Sequence, residues 1–279
     1  MTDSPHTPAP FPLRSPAMLA IREEGRGGPL VLVHGAGTSS AIWRRSMPLL
    51  AAQRRVIAPD LPGYGGSPAA GPGFALEQVT DGLAAGLDDA GVPAPYDLVG
   101  HSMGGAIAIL LAARHPERVR RLVLVAPAGL AALPRLAAGL LGAVAAPFAI
   151  ARRTVATPLA GSALVRRLAL AGVARDGARV PAEHARAVLA SSAGATRIGP
   201  GLASAATADL RHTLASLEGP LGVVWGEHDP VIPPRRIEVI RRARPDVELS
   251  VVRDTAHAPM LERPEAFCAA LEDVLARLR

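Results

Sequence analysis

The sequence predicts an α/β protein: a doubly wound, mostly parallel sheet with an inserted helical cap. Three observations predict it. Short runs of branched apolar residues near Val31, Val56, Leu98 and Val123, and later at Leu221 to Trp225 and Val247 to Val252, are separated by helical stretches, the pattern of parallel strands joined by crossovers. A G-x-S-x-G segment, Gly100-His101-Ser102-Met103-Gly104, lies between one such strand and one such helix. From about residue 130 to 214 the strand signal vanishes and only helical pattern remains.

Each element follows in order. Residues 1 to 16 are rich in proline and polar side chains and are expected to be disordered, leaving residues 17 to 279 as the folded domain. They contain no basic segment followed by an apolar core, so a cytoplasmic location is expected rather than a secretory signal. Met18 to Glu23 reads as an edge strand pairing antiparallel, and Leu30 to Val33 as a buried strand leading into His34-Gly35. A helix is expected over Ala41 to Ala52. The strand at Val56 ends in a Pro/Gly-rich turn, where Asp60 is expected to cap backbone amides. A second helix spans Ala75 to Ala90, and the strand Tyr96 to Val99 delivers Ser102 to the turn before the helix Ala106 to Ala112. Glycines on either side leave room for neighbouring chain, so the strained turn pushes the serine hydroxyl out above the sheet.

A serine hydroxyl needs a base within hydrogen-bond reach, and the base needs a third group to hold its tautomer. The strand Leu221 to Trp225 is followed by Gly226-Glu227-His228-Asp229, and the strand ending at Val252 by Arg253-Asp254-Thr255-Ala256-His257. The chain order is therefore Ser102, Asp229, His257, which belongs to one architecture and differs from two other well-known triad orders. The strand ending at Val125 carries no carboxylate, which strengthens Asp229 as the acid. His34 is expected to hold the loop it precedes rather than to act as a base. His101 and His228 adjoin the catalytic candidates in sequence, so their side chains should point elsewhere. Asp254 reads as a loop brace.

The chain resembles a cap-bearing enzyme of the α/β-hydrolase fold. The resemblance rests on Leu30-Val31-Leu32-Val33-His34-Gly35-Ala36-Gly37, on the D-x-x-G-x-G-x-S form of Asp60 to Ser67, on the elbow, and on His257-Ala258-Pro259-Met260-Leu261-Glu262-Arg263-Pro264. It implies an oxyanion hole made by the backbone N–H groups of Ala36 and Met103, the latter at a helix N-terminus that favours negative charge. Ala256 departs from the glycine the family usually has before the histidine, a change tolerated unless that residue needs a positive φ.

Serine at the elbow disfavours the dehalogenase and epoxide hydrolase chemistries of the fold, which use aspartate there. It points to acyl transfer, and the leading expectation is hydrolysis of a carboxylic ester through an acyl-enzyme. A carbon-carbon bond hydrolase of dienoate ring-cleavage products is the alternative, although such relatives usually carry Asn before the serine and Trp after the histidine, where this chain has His101 and Ala258. A cofactor-free perhydrolase typically has an aromatic residue at the position of Ala36. A tailoring enzyme of secondary metabolism is a further alternative.

Residues 129 to 151 are almost wholly apolar, which raises a transmembrane reading, but Pro134 and Pro147 and the surrounding fold favour cap helices. Leu140, Leu141, Val144 and Phe148 are the candidates to line an apolar pocket over Ser102. Trp43 is a further candidate, with core packing as the competing reading.

At 279 residues and 49% hydrophobic content the chain can bury one full core. Its single cysteine, Cys268, reads as a small buried hydrophobe. The formal charge is +6, but every basic residue is arginine, and pairs such as Arg44-Arg45, Arg120-Arg121 and Arg241-Arg242 are scattered over different elements, against a nucleic-acid surface. The expected partner is a small-molecule substrate, with no metal, no cofactor, no nucleic acid and no stable membrane insertion. The oligomeric state is left open.

Overall fold

A computed structural model describes residues 19–69, 74–193 and 197–278; the segment expected to be disordered, 1 to 16, lies outside them. Seven strands form one sheet in the order β1-β3-β2-β4-β5-β6-β7. They are β1 (Ile21–Glu24), β2 (Pro29–Val33), β3 (Arg55–Pro59), β4 (Tyr96–His101), β5 (Val119–Val125), β6 (Leu221–Gly226) and β7 (Glu248–Val252). Edge strand β1 pairs antiparallel with β3, and every other pairing is parallel. The expected class holds: an α/β fold with a mostly parallel sheet.

Strand alternation sorts the core into two layers, because successive side chains point to opposite faces. Val31 and Val33 of β2 pack in one layer with Leu98 and Leu124, while Leu30 and Leu32 pack in the other with Val99 and Val123. All six residues of β4 are buried, as suits a central strand covered on both faces.

The helices follow their apolar spacing. In α2 (Leu76–Asp89) the buried residues Leu76, Val79, Leu83 and Leu87 form one stripe. In α3 (Met103–Arg114) every residue from Met103 to Ala112 is buried, so this helix lies inside the molecule. The helix expected over Ala41 to Ala52 is split into a 3₁₀ turn, Ser40–Trp43, and a short α1 (Met47–Ala51). Pro48 explains the break: with no N–H it suits a helix's first turn and cannot continue an earlier one.

Between β5 and β6 the described residues form helices without strands of the sheet: α4 (Arg135–Ala156), α5 (Ala163–Ala169), α6 (Ala182–Ala193), α7 (Ile198–Thr207) and α8 (Arg211–Ala215). Helix α4 carries Pro147 inside its 22 residues, yet no helix among the described residues is long and apolar enough to cross a membrane. After β6 come α9 (Ile237–Ala243), α10 (Pro259–Glu262) and the terminal α11 (Pro264–Arg277), which buries Phe267, Cys268, Leu271, Val274 and Leu275. Burial pushes the Cys268 thiol up to about 12, so it stays protonated and apolar.

Candidate active site

Ser102 sits at the junction of β4 and α3 with φ 55° and ψ −121°, a conformation costly for a residue with a side chain. The flanking glycines make it attainable. A Cβ on Gly100 would lie 2.4 Å from the Gly104 carbonyl oxygen, and one on Gly104 would lie 2.4 Å from that of His34. The turn is therefore packed against both its own helix and the loop after β2.

Strand β6 pairs with β5 and β7 with β6, and the loops after β6 and β7 bring Asp229 and His257 together. His257 Nδ1 lies 2.7 Å from Asp229 Oδ2, and the other carboxylate oxygen accepts the Val231 and Ile232 N–H groups at 2.8 and 2.9 Å. With Asp229 as acceptor, Nδ1 carries the proton and donates it, which leaves Nε2 with its lone pair. Both side chains are almost fully buried. No hydrogen bond joins Ser102 Oγ to His257 among the described residues, in keeping with catalytic contacts that close only around substrate.

A cavity of about 270 Å³ opens beside Ser102, with Ala36 and Met103 on its wall. Met103 opens α3, so its N–H has no intrahelical acceptor. Leu130, Leu133 and Leu141 line the same cavity from the segment after β5, and Leu202 lines it from α7.

The expected pocket residues divide. Leu141 lines the cavity; Leu140 and Val144, on the same helix, are 58% and 70% exposed and do not. The side chain of Phe148 lies outside the described residues. Trp43 is a correction: it is fully buried in the core, its ring 6.0 Å from that of Phe267 and 6.3 Å from that of His101, and it takes no part in the cavity. Core packing claims it because the 3₁₀ turn directs it beneath the loop, onto α11.

The supporting residues behave largely as their surroundings in the sequence suggested. His34 Nε2 accepts the Leu61 N–H at 2.9 Å, so Nδ1 carries the proton and donates to the Gly35 carbonyl at 2.9 Å. Burial holds its pKa below the ordinary value and keeps it neutral. Asp60 accepts the N–H groups of Ser40 and Gly66 at 2.7 and 2.8 Å, fastening the loop after β3 to the turn after β2. Asp254 pairs with Arg175 and Arg179 as a loop brace. Ala256 does not adopt a positive φ, so its methyl group is accommodated; its N–H donates to buried Glu262 at 2.9 Å.

His101 is a second correction: its side chain, expected to point away from the catalytic candidates, packs against His257. Its Nε2 lies 2.9 Å from the His257 carbonyl, and the two rings lie 4.7 Å apart. Nε2 must be the donor, since a carbonyl only accepts. Burial first, and then the neighbouring His257, hold its pKa well below the ordinary histidine value, so the His101 ring stays neutral.

The family model for the alpha/beta hydrolase fold matches residues 28–264. The chain belongs to that family. Its sequence is 34% identical over 259 residues to the pimeloyl-[acyl-carrier protein] methyl ester esterase of Neisseria meningitidis serogroup B (strain H44/76), covering 87% of this chain and 90% of that protein. A shorter stretch of this α/β-hydrolase, 112 residues or 39% of the chain, is 48% identical to 2-hydroxymuconate semialdehyde hydrolase of Pseudomonas sp. (strain CF600), covering 40% of that protein. Among solved structures, a thermophilic esterase from Thermogutta terrifontis superposes with a TM-score of 0.73 at 26% identity, covering 93% of each chain.

Proposed function

We propose that the protein is a serine hydrolase that cleaves a carboxylic ester of a small, hydrophobic substrate through an acyl-enzyme. The observation that carries this is the 2.7 Å pairing of His257 with Asp229 at the same end of the sheet as the strained Ser102, which itself faces an apolar cavity. The likeness over most of the chain to a methyl ester esterase supports it.

In this reading Ser102 Oγ attacks the ester carbonyl carbon while His257 Nε2 takes its proton. Asp229 stabilises the imidazolium, and the N–H groups of Ala36 and Met103 receive the oxyanion. Collapse breaks the bond to the alkoxy oxygen, which leaves as the alcohol with the proton from His257. Water then attacks the acyl-enzyme, His257 takes the water's proton and returns it to Ser102 Oγ, and the acid departs. The helices of residues 130 to 214 act as a cap, with Leu141 in its roof. No cofactor enters these steps.

An organophosphonate should add one covalent mass to the wild type and none to Ser102→Ala, with ester turnover lost in parallel. Labelling of another serine overturns the assignment. The carbon-carbon hydrolase reading gains weight from the 48% identical stretch, and His101 and Ala258 count against it. Turnover of a dienoate ring-cleavage product far above that of any ester would favour it, leaving the triad intact.

A further inference from the structure

The cavity wall beside Ser102 is aliphatic over most of its extent, from Leu130, Leu133, Leu141, Leu202, Val231 and Ile232, and one cation interrupts it. Arg236 closes the 3₁₀ turn Pro234–Arg236, on the loop that follows Asp229. It is half-buried and is the only charged side chain among the described residues that line this cavity. Arg242 pairs with Glu238 and Arg244 with Asp246, whereas Arg235, Arg236 and Arg241 have no ion pair among the described residues, and of these three only Arg236 lines the cavity. A guanidinium beside apolar walls interacts with an anion more strongly than one in open water, and its planar fork matches carboxylate and phosphate oxygens.

We propose that Arg236 is a specificity-determining residue for an ester that carries an anionic group, a carboxylate or a phosphate, at the end remote from the scissile carbonyl. The aliphatic walls take the chain between the two ends, Ser102 takes the ester, and Arg236 pairs with the anion. This deepens the ester-hydrolase reading and rests on it.

The test compares four methyl esters of matched chain length: methyl hexanoate, monomethyl adipate, methyl 6-phosphonooxyhexanoate and methyl 6-aminohexanoate. Each is measured as kcat/KM with wild type, Arg236→Gln, Arg236→Lys and Arg236→Glu. The wild type should prefer an anionic ester to methyl hexanoate by about tenfold or more. That ratio should fall towards one in Arg236→Gln, persist in part in Arg236→Lys, and turn in favour of the ammonium ester in Arg236→Glu. In the wild type it should also shrink as salt is added. The adipate and phosphate arms show which anion is the better fit. The proposal is overturned if the wild type shows no anionic preference, or if Arg236→Gln lowers all four esters by one factor and leaves the ratio intact. Turnover of methyl hexanoate without an anionic advantage removes the role of Arg236 alone. Failure to hydrolyse any of the four removes the ester-hydrolase reading as well.

Discussion

At the scale of single residues, three aspartates that look alike in the sequence have separate tasks. Asp229 holds the His257 ring through Nδ1, Asp60 fastens two backbone amides, and Asp254 pairs with arginines on a loop. Asp229→Asn should fold normally and lose turnover by about ten-thousandfold, because an amide favours the wrong imidazole tautomer. Asp60→Asn should keep most turnover and lose about 1–3 kcal/mol of stability, since one buried N–H is left without its acceptor. Steady-state kinetics and urea unfolding of both variants separate the roles, and the reverse pattern would exchange them. The order of Ser102, Asp229 and His257 was readable because each follows a strand in the chain. His101 was not: it holds the carbonyl of a residue 156 positions away, and no local pattern reports so distant a partner.

At the scale of elements, the register of α4 decides which leucines can meet substrate. Leu140 and Leu141 are neighbours in sequence, yet only Leu141 lines the cavity. Hydrophobic periodicity could announce this helix but not which of its apolar residues meets the cavity, because that depends on how the helix docks over the sheet. If acyl chains are buried under Leu141, kcat/KM should rise about fourfold per added methylene until the cavity is full. Leu141→Asp should flatten that rise and Leu140→Asp should leave it, as a series of aryl esters of graded acyl length would show; equal effects would remove Leu141 from the pocket. The elbow makes a second test. Gly104→Ala drives a Cβ into the His34 carbonyl, and should lower stability by several kcal/mol, or prevent folding, in a thermal melt.

At the scale of the whole molecule, strand β4 carries Ser102 beyond one end and an ionic cluster at the other. Asp97 is fully buried there, 3.0 Å from Arg54 and 2.8 Å from Arg120, with Arg121 also paired to it. Burial pushes its carboxyl up, but hydrogen bonds and charge from Arg121 and Arg120 outweigh this and hold it below the usual carboxylate value. A carboxyl depressed in the folded state adds stability that is complete above its unfolded pKa, about 4, and is lost as pH falls through the lower folded value. Urea unfolding should therefore become easier below about pH 4. Asp97→Asn should cost about 3–5 kcal/mol at pH 7, because several arginines lose their shared acceptor, and should show a weaker acid dependence. The mostly parallel sheet was legible because its parallel strands are short apolar runs closed by turns, whereas the strand order emerges only from the pairing of the strands. This cluster was not legible, since scattered arginines read as solvated surface until the strands are aligned.

The exposed link at Ser216, Glu218 and Gly219, just before β6, divides the chain between the two halves of the proposed chemistry. Everything before it holds the nucleophile and the two oxyanion amides; everything after it holds the acid and the base. A protein cut at this link would therefore be silent in either piece and would regain turnover only when Leu122 to Val125 of β5 pair again with Leu221 to Val224 of β6. Fused to two proteins that bind each other, the pieces would form a split reporter whose signal counts reunions of β5 with β6.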